Sequence, residues 1–285
     1  MGARAVALAT SLLVMLSIAT MYVMDARLTR VGRPDLHQLT GAGPLFLTAM
    51  VASAGVGGAL LIAQPRHPVG WCFAGLGSTI ALAGVAQSYG VYGVLARPGT
   101  LVGAQAAATL ASSLYIFWLV FLALACSLTP TGRHLSARWR RASWVMVAAA
   151  FLWFLSIVVS PGQLQDPFQR VDNAWGVEGL PWLGPTRTIS GTVNNLLVLA
   201  AIASLVVRFH RSVGDERRQL LWMAVFVVPL PLLLTVTYVA SKTDHDAVLN
   251  VAAGAMVTLL PLGAGLSVSR YHLYDVDRIL SRALS

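Results

Sequence analysis

Eight long stretches without Asp, Glu, Lys, Arg or His constrain this chain more than any other feature of its sequence. The hydrocarbon core of a bilayer is about 30 Å thick, and an α-helix needs about 20 apolar residues to cross it. Lipid offers no partner to an unpaired peptide group, so such stretches are expected to be helical. The predicted spans are Ala5–Met24, Pro44–Ala63, Gly70–Tyr92, Ala108–Leu128, Ala142–Val159, Thr188–Val207, Leu220–Ala240 and Ala247–Val268. The sequence therefore predicts an all-α, polytopic integral membrane helix bundle with about eight transmembrane helices.

The composition supports a protein embedded in lipid. Of the 285 residues, 56% are hydrophobic and only 11% are charged, whereas about 25% of the residues of a soluble domain are charged. The net charge of +9 would suggest a nucleic-acid partner for a soluble protein. Here the basic residues lie in short loops, so we expect the lipid bilayer as the partner and no nucleic acid. The preference for arginine, alanine, glycine and valine suggests a GC-rich bacterial genome, and hence a multi-pass protein of a bacterial plasma membrane.

The arginines predict the orientation of the bundle. If both termini lie in the cytoplasm, the cytoplasmic segments carry 13 basic and 4 acidic residues, and the outer segments carry 7 of each. Cytoplasmic loops are enriched in lysine and arginine, which favours this N-in, C-in arrangement. The outer loop between Asp25 and His37 holds three arginines and is the weak point, but the remaining loops do not depend on it.

The longest predicted loop runs from Ser160 to Arg187 on the outer side. It contains acidic, aromatic and proline residues, namely Asp166, Asp172, Glu178, Phe168, Trp175, Trp182, Pro161, Pro167, Pro181 and Pro185. One interpretation places its aromatic side chains at the level of the lipid head groups. The other interpretation is a cap that faces a ligand.

Few polar groups lie inside the predicted spans. Gln87, Asn194 and Asn195 are the most polar of them, and such amides bond to a neighbouring helix more often than to a ligand. All six histidines lie in loops or at helix ends. A coupled carrier would need ionisable groups or broken helices at mid-membrane. Pro229 and Pro231 can break the seventh span, but without polar partners beside them we interpret both as packing kinks.

Small residues recur at four-residue spacing in the second and third spans. The pairs are Ala54 with Gly58, and Gly77 with Ala81. This spacing is common in membrane helices and allows two helices to approach closely.

The sequence contains no motif for catalysis. There is no Walker loop, dinucleotide fingerprint, HExxH or nucleophile elbow. Cys72 and Cys126 lie in apolar stretches and lack the spacing of a zinc site, so we interpret them as small buried hydrophobic residues. We expect no enzyme activity, cofactor or metal within these residues.

The C-terminal segment has the pattern of an amphipathic helix. At 100° per residue its aliphatic side chains fall on one side, and Tyr274, Asp275 and Arg278 fall on the other. Such a helix can lie in the bilayer interface or begin a linker to a further domain. The chain is therefore divided into a transmembrane domain, residues 1–268, and a cytoplasmic juxtamembrane segment, residues 269–285.

Four segments on the predicted cytoplasmic side, taken in order, resemble the membrane input region of actinobacterial-type sensor histidine kinases. They are PRHPVGW (65–71), TPTGRHLSARWR (129–140), GDERRQLLW (214–222) and YHLYDVDRILSRALS (271–285). The last is the most specific, because it is similar to the family's tyrosine–aspartate–aliphatic–aspartate–arginine pattern. The likeness extends from the second helix to the C-terminus.

This resemblance implies a sensor or signal-input module of two-component signal transduction. The candidate relay residues are Tyr274, Asp275, Asp277 and Arg278. A second copy of the chain (a homodimer) or a cytoplasmic kinase is the implied partner. In such kinases the pattern continues into further membrane helices, a phosphoacceptor histidine and an ATP-binding domain. The sequence stops at Ser285, so we expect either a truncated or split product or a membrane module that acts alone.

The resemblance does not extend to kinase activity, since none of the residues that carry it is present. Thr131 also stands where an acidic residue is common in the family. Two alternatives come from other classes of protein. A small-molecule permease would need a polar path at mid-membrane, near Gln87, Asn194 and Asn195. A structural partner subunit would bind another membrane protein through a face of small residues.

Overall fold

The structure is a computed structural model that describes residues 2–129, 131–165, 167–241, 243 and 245–271. In this part of the chain it contains nine α-helices, a short 3-10 helix (Pro34–Leu36) and a π-helical turn (Val91–Ala96). The α-helices are α1 (Ala3–Arg30), α2 (Gly43–Ala63), α3 (Pro68–Gly90), α4 (Ala104–Leu128), α5 (Ala137–Val158), α6 (Leu183–Arg211), α7 (Gly214–Val227), α8 (Leu230–Ala240) and α9 (Asp246–Tyr271). These ranges contain no β-strand. The prediction of an all-α fold is therefore confirmed.

Seven of the described helices are long and apolar enough to cross a membrane. They are α1 to α6 and α9, which correspond to seven of the predicted spans. The other predicted span, Leu220–Ala240, is divided, because α7 ends at Val227 and α8 begins at Leu230. Its apolar part, Ala224–Ala240, falls short of a full-length span. The helical membrane bundle is thus confirmed, and the remaining predicted crossing consists of two short helices.

Two prolines explain the break between α7 and α8. Pro229 precedes α8 and Pro231 lies in its first turn. Proline has no backbone N–H and its ring clashes with the carbonyl four positions earlier, so it interrupts a helix but is tolerated in a first turn. These residues therefore end one helix and start another, rather than only bending a single span.

Among the helices that extend beyond the predicted spans, α1 and α6 add the longest segments at the side opposite the N-terminus. Helix α1 continues from Met24 to Arg30, and α6 begins at Leu183. The added turns include Asp25 and Arg187. A search for uncharged stretches leaves such residues out, so it underestimates both helices.

Helix α3 packs against α1, α2 and α4. Small residues bring α2 and α3 together. A Cβ atom on Gly77 would lie 3.1 Å from the backbone nitrogen of Ala54, and one on Gly57 would lie 2.6 Å from that of Ala74. The prediction of close packing through small residues is therefore confirmed for this pair of helices.

The remaining helices form two groups around this centre. Helices α5 and α6 pack on each other and on α4, whereas α9 packs on α2 and contacts α7 and α8. Between the two groups, α6 and α8 barely contact each other. The bundle is therefore loosely closed between α6 and α8.

The half of the bundle that lies towards the α2–α3 and α4–α5 loops is packed with apolar side chains. Phe73, Leu76, Leu122 and Cys126 are fully buried there. Cys72 is also buried, and both cysteines are free thiols. Their interpretation as small buried hydrophobic residues is confirmed.

The loops gather at two ends of the bundle, which we call the basic end and the cavity end. The basic end comprises the α2–α3, α4–α5 and α6–α7 connections, residues 64–67, 129–136 and 212–213. The cavity end comprises the connections at residues 31–42, 97–103, 159–182 and 241–245, as far as the structure describes them. The basic end takes its name from the arginines described above.

Candidate functional site

A cavity of about 780 Å³ lies at the cavity end of the bundle. Helices α1 to α6, α8 and α9 all contribute to its wall, together with the loops 31–42 and 159–182. Pockets that bind small molecules have volumes of about 300–1,000 Å³. This cavity is therefore the candidate functional site.

Two of the three amides that the sequence singled out lie in the cavity wall. Gln87 of α3 donates from Nε2 to Oε1 of Gln38 at 2.7 Å, and both residues line the cavity. Asn195 of α6 lines it as well. Asn194 is fully buried, is not a lining residue, and its side-chain atoms have no hydrogen-bond partner among the described residues. The expected bonds to neighbouring helices are not found, because Gln87 bonds to a loop and Asn194 to none of the described groups.

A buried carboxylate holds the loop 31–42 in place. Asp25, near the end of α1, is 7% exposed. Its Oδ1 and Oδ2 accept hydrogen bonds from the backbone N–H groups of Gln38 and Leu39, each at 3.0 Å. A Cβ atom on Gly43 would clash with the carbonyl oxygen of Gln38, so the tight return into α2 requires glycine. These contacts position the Gln38 side chain for its bond to Gln87.

Asn173 fixes the loop 159–182 to the neighbouring helices. Its Nδ2 donates to the carbonyl oxygens of Val158 and Ser160, each at 2.8 Å. Its Oδ1 accepts a hydrogen bond from the hydroxyl of Thr109 on α4 at 3.1 Å. The amide therefore satisfies carbonyl groups that the end of α5 leaves free and anchors the loop on α4.

The structure places some residues of this long loop at the surface and others against the rest of the protein. Trp175 and Trp182 are 41% and 54% exposed. Phe168 is 1% exposed and packs beside Val91 and Ala108. Gln165 lines the cavity. The loop is thus an ordered cap over part of the cavity.

Aromatic side chains form the cavity walls. The rings of Phe46 and Trp118 lie 5.4 Å apart between α2 and α4. Tyr115 and Trp153 meet edge to face at 5.8 Å between α4 and α5. All four line the cavity. Such ring pairs stabilise a structure beyond the area that they bury, so the walls are preformed.

The cavity changes from polar to apolar with depth. Arg187, Gln165 and His37 lie near the ends of their helices or in loops, at the mouth. Positions further along the helices are mainly apolar and include Ile80, Leu119, Leu234 and Met256. The cavity therefore has a polar mouth above an apolar floor.

Arg187 sets the charge of the cavity. Among the described lining residues it is the only one that is charged at neutral pH when histidine is neutral. It lies on the exposed side of the first turns of α6. The one ion pair among the described residues joins Arg33 to Asp35. The described wall therefore offers a positive charge and no carboxylate.

A buried guanidinium holds the basic end together. Arg208, in the last turn of α6, is 6% exposed. It donates from Nη1 to the hydroxyl of Thr131 at 2.9 Å, and from Nη2 to the carbonyl oxygens of Ser127 at 2.9 Å and Arg133 at 2.7 Å. A buried charge is stable only where acceptors surround it. These bonds therefore tie the α4–α5 loop to α6.

A second, shallower concavity of about 590 Å³ lies beside this network. Arg66 and His67 of one loop and Thr131 and Arg133 of another line it. Burial, together with the positive charges of Arg140 and Arg208, lowers the pKa of the nearby His134. This face is basic but much less enclosed than the cavity.

Three of the four segments that carry the kinase resemblance meet at the basic end. In the first, the indole Nε1 of Trp71 donates to the carbonyl of Pro65 at 3.1 Å. The second touches the first where His67 approaches Gly132. The third begins α7, whose Arg217 lies 5.0 Å from the ring centre of Phe209. The fourth contains the candidate relay residues Tyr274, Asp275, Asp277 and Arg278, which lie outside the described residues.

The sequence did not indicate that Arg187, Tyr115, Trp118 and Trp153 line the cavity. Arg187 was placed in a loop, and the aromatic residues lie within uniformly apolar stretches. A usable signal does exist for two of them. Tyr115 and Trp118 are three residues apart, so they share a helix face, and each carries an O–H or N–H group that favours a polar neighbour.

Comparisons with protein-family models, with curated proteins and with solved structures find no match to this chain. Among the described residues, no group of three or more His, Cys, Asp or Glu side chains could hold a metal ion. Function is therefore inferred from the cavity, the loops and the sequence motifs.

Proposed function

We propose that this chain is a membrane sensor module, in which occupancy of the cavity is relayed through α9 to the C-terminal segment. The observation that carries the proposal is the position of α9. Its residues Asn250, Ala253 and Met256 line the cavity, and the helix then continues to Tyr271. A ligand in the cavity would therefore touch the helix that leads directly into the candidate relay residues.

A relay also needs an element with two arrangements whose balance a ligand can shift. Helix α8 suits this role, because Leu234, Thr237 and Tyr238 line the cavity while α6 across the gap barely contacts it. Helix α8 packs on α9. Movement of α8 towards an occupant would consequently shift α9.

The proposed topology places the basic end in the cytoplasm of a bacterial cell, because that side carries the excess of arginines. Buried native thiols allow a direct test, since Cys72 and Cys126 will label slowly. In intact cells, a membrane-impermeant maleimide should label Gln169→Cys on the cavity end. It should label Ser136→Cys on the basic end only after permeabilisation. Labelling of Ser136→Cys in intact cells would reverse the orientation.

The relay is tested by fusing the full chain to a histidine kinase core and measuring autophosphorylation. Replacing Asp275 and Asp277 with alanine should uncouple the kinase from the membrane part. Thr192→Trp should fill the cavity from α6 and change the basal kinase rate, since Thr192 lines the cavity. Leu196→Trp is the matched control, because Leu196 is 60% exposed on the outer face of the same helix. Unchanged phosphorylation in all variants would contradict the proposed relay.

A permease is the second candidate, and the polar cavity wall around Gln87 and Asn195 favours it. Below the cavity, however, Phe73, Leu76 and Leu122 are fully buried in the apolar core. A permease would need a second conformation that opens this core. Purified chain in proteoliposomes should show no uptake of a ligand that binds the cavity; saturable uptake that Thr192→Trp blocks would favour transport instead.

A further inference from the structure

We infer that the cavity binds a single-chain anionic amphiphile, with a carboxylate or phosphate head on one aliphatic chain, that arrives from the bilayer through the gap between α6 and α8. The inference rests on the proposed function for its purpose, since it names the class of ligand that the sensor would detect. Binding itself can nevertheless be measured without any signalling partner.

The head group is assigned from the charge at the mouth. Arg187 provides a guanidinium, which binds carboxylate or phosphate oxygens through two parallel hydrogen bonds. Gln165 and Thr188 lie in the same wall and add neutral donors. The nearest buried carboxylate, Asp25, already accepts bonds from the Gln38 and Leu39 backbone. The described mouth therefore carries a positive charge and no free carboxylate, which favours an anion.

The tail is assigned from the floor and walls. The floor contains Ile80, Leu119, Leu234 and Met256, and the walls contain two aromatic pairs. Apolar surface of this kind is stabilised by covering it with an aliphatic chain rather than with water. A volume of about 780 Å³ suits a ligand of drug-like size, which corresponds to one chain with its head group.

The route is assigned from the gap in the bundle. Thr192 on α6 and Tyr238 on α8 both line the cavity and are exposed, although the two helices barely touch. Both helices present large apolar side chains outward, including Ile189 and Leu196 of α6 and Leu232 and Val239 of α8. A bundle surface of this composition faces lipid. A ligand dissolved in the bilayer therefore reaches the cavity without crossing the loops.

The test uses the full chain purified in a neutral detergent and doxyl-labelled stearate as the probe. Electron paramagnetic resonance separates probe immobilised by the protein from probe in the micelle. Wild-type chain should immobilise the stearate saturably, at about one probe per chain. The methyl ester of the same probe lacks the charge and should bind about tenfold more weakly, as expected for loss of a charged hydrogen-bonded pair. Equal binding of acid and ester would overturn the anionic head.

Arg187→Gln should reduce stearate affinity by a similar factor, about tenfold, and should leave the ester unaffected. Arg97→Gln is the matched control, because Arg97 is exposed at the same end of the bundle and does not line the cavity. If both variants weaken binding equally, general surface charge and not Arg187 attracts the probe. The ester comparison on wild-type protein keeps the test decisive if Arg187→Gln fails to fold.

Competition separates a lipid-derived ligand from a soluble anion. Unlabelled lysophosphatidate should displace the probe, whereas glycerol phosphate, which has the head without the chain, should not. Displacement by glycerol phosphate at similar concentration would overturn the amphiphile. The kinase fusion then separates two failures. If the fusion responds to Thr192→Trp but stearate does not bind, the proposed class of ligand is wrong. If stearate binds but the kinase rate never changes, the proposed sensor function is wrong.

Discussion

The α4–α5 loop at the basic end and the α5–α6 loop at the cavity end are held in opposite ways. Arg208 of α6 holds the α4–α5 loop by donating hydrogen bonds to one hydroxyl and two carbonyl groups. The α5–α6 loop is held by the amide of one of its own residues, Asn173. Beneath the first the core is packed, whereas beneath the second a cavity of about 780 Å³ remains. This bundle therefore closes one end with a cation from another helix, and covers the other with a loop whose own amide binds α4 and the end of α5.

Such a division suits a protein that must respond at one end only. Elements that move on ligand binding come from the less stable parts of a fold, and a binding site still needs rigid support behind it. The packed core and the Arg208 network provide that support. The gap between α6 and α8 leaves α8 room to move.

The largest expected effect comes from breaking the basic end. Arg208→Ala removes a buried donor from three acceptors and should lower the free energy of unfolding by about 3 kcal/mol, since bonds to a charged group contribute about 1.5–3 kcal/mol. Thermal unfolding in detergent, followed by helical circular dichroism, measures it. Arg211→Ala is the control, because Arg211 lies exposed in the same turn of α6. Equal losses in both variants would mean that the buried network stabilises nothing specific.

The next effect comes from releasing the cap at the cavity end. Asn173→Ala leaves carbonyl groups at the end of α5 and the Thr109 hydroxyl without this partner. It should lower the free energy of unfolding of the loop 159–182 by about 2 kcal/mol. The loss should stay local, so protease cleavage within 159–182 should rise more than global unfolding does. Gln169→Ala in the exposed part of the same loop should leave cleavage unchanged. A global loss of stability with no increase in cleavage would show that the cap does not unfold separately.

A smaller effect is expected at the loop 31–42. Asp25→Ala removes the acceptor for two backbone N–H groups and should cost about 1 kcal/mol. Because Gln38 would then be released, hydrogen exchange at residues 38 and 39 should accelerate. Asp35→Ala is the control, since its ion pair with Arg33 is exposed and exposed pairs contribute little. Unchanged exchange in Asp25→Ala would mean that this carboxylate does not hold the loop 31–42 in place.

The smallest effect is a pH dependence at the basic end. Burial and the nearby arginines lower the pKa of His134 below its ordinary value of 6.5. As the pH falls, the unfolded chain therefore takes up this proton before the folded chain does. The contribution of neutral His134 to the free energy of unfolding is fully present above pH 6.5 and declines as the pH falls from there towards the lowered pKa. Hydrogen exchange in residues 131–141, corrected for its intrinsic pH dependence, should show weaker protection at acidic pH. His134→Gln should abolish this change, and its persistence would assign the effect to another group.

The spans were predictable from the sequence because lipid admits a narrow choice of structures. Seven stretches without charged residues are helices in the structure, and the Gly77–Ala54 approach follows the predicted small-residue pattern. The break at Pro229 was underestimated, because hydropathy reports the apolar length and not the loss of backbone donors. Charged residues that extend helices, Asp25 and Arg187, were placed in loops for the same reason.

The cavity was less predictable than the spans. Gln87 and Asn195 stood out because amides are rare in apolar stretches, and both line it. Its aromatic walls did not stand out, since Trp118 and Trp153 are as hydrophobic as their neighbours. A cavity depends on which helices stay apart, and single-helix periodicity contains no information on a gap such as that between α6 and α8, which barely contact each other.

The division of α7 from α8 has a consequence for the surrounding lipid. At 1.5 Å per residue, the apolar stretch Ala224–Ala240 is about 26 Å long, several ångströms less than a hydrocarbon core of about 30 Å. A short apolar stretch is accommodated by local thinning of the bilayer. We therefore expect a dimple in the membrane beside α8, where phospholipid head groups sink towards the level of Tyr238.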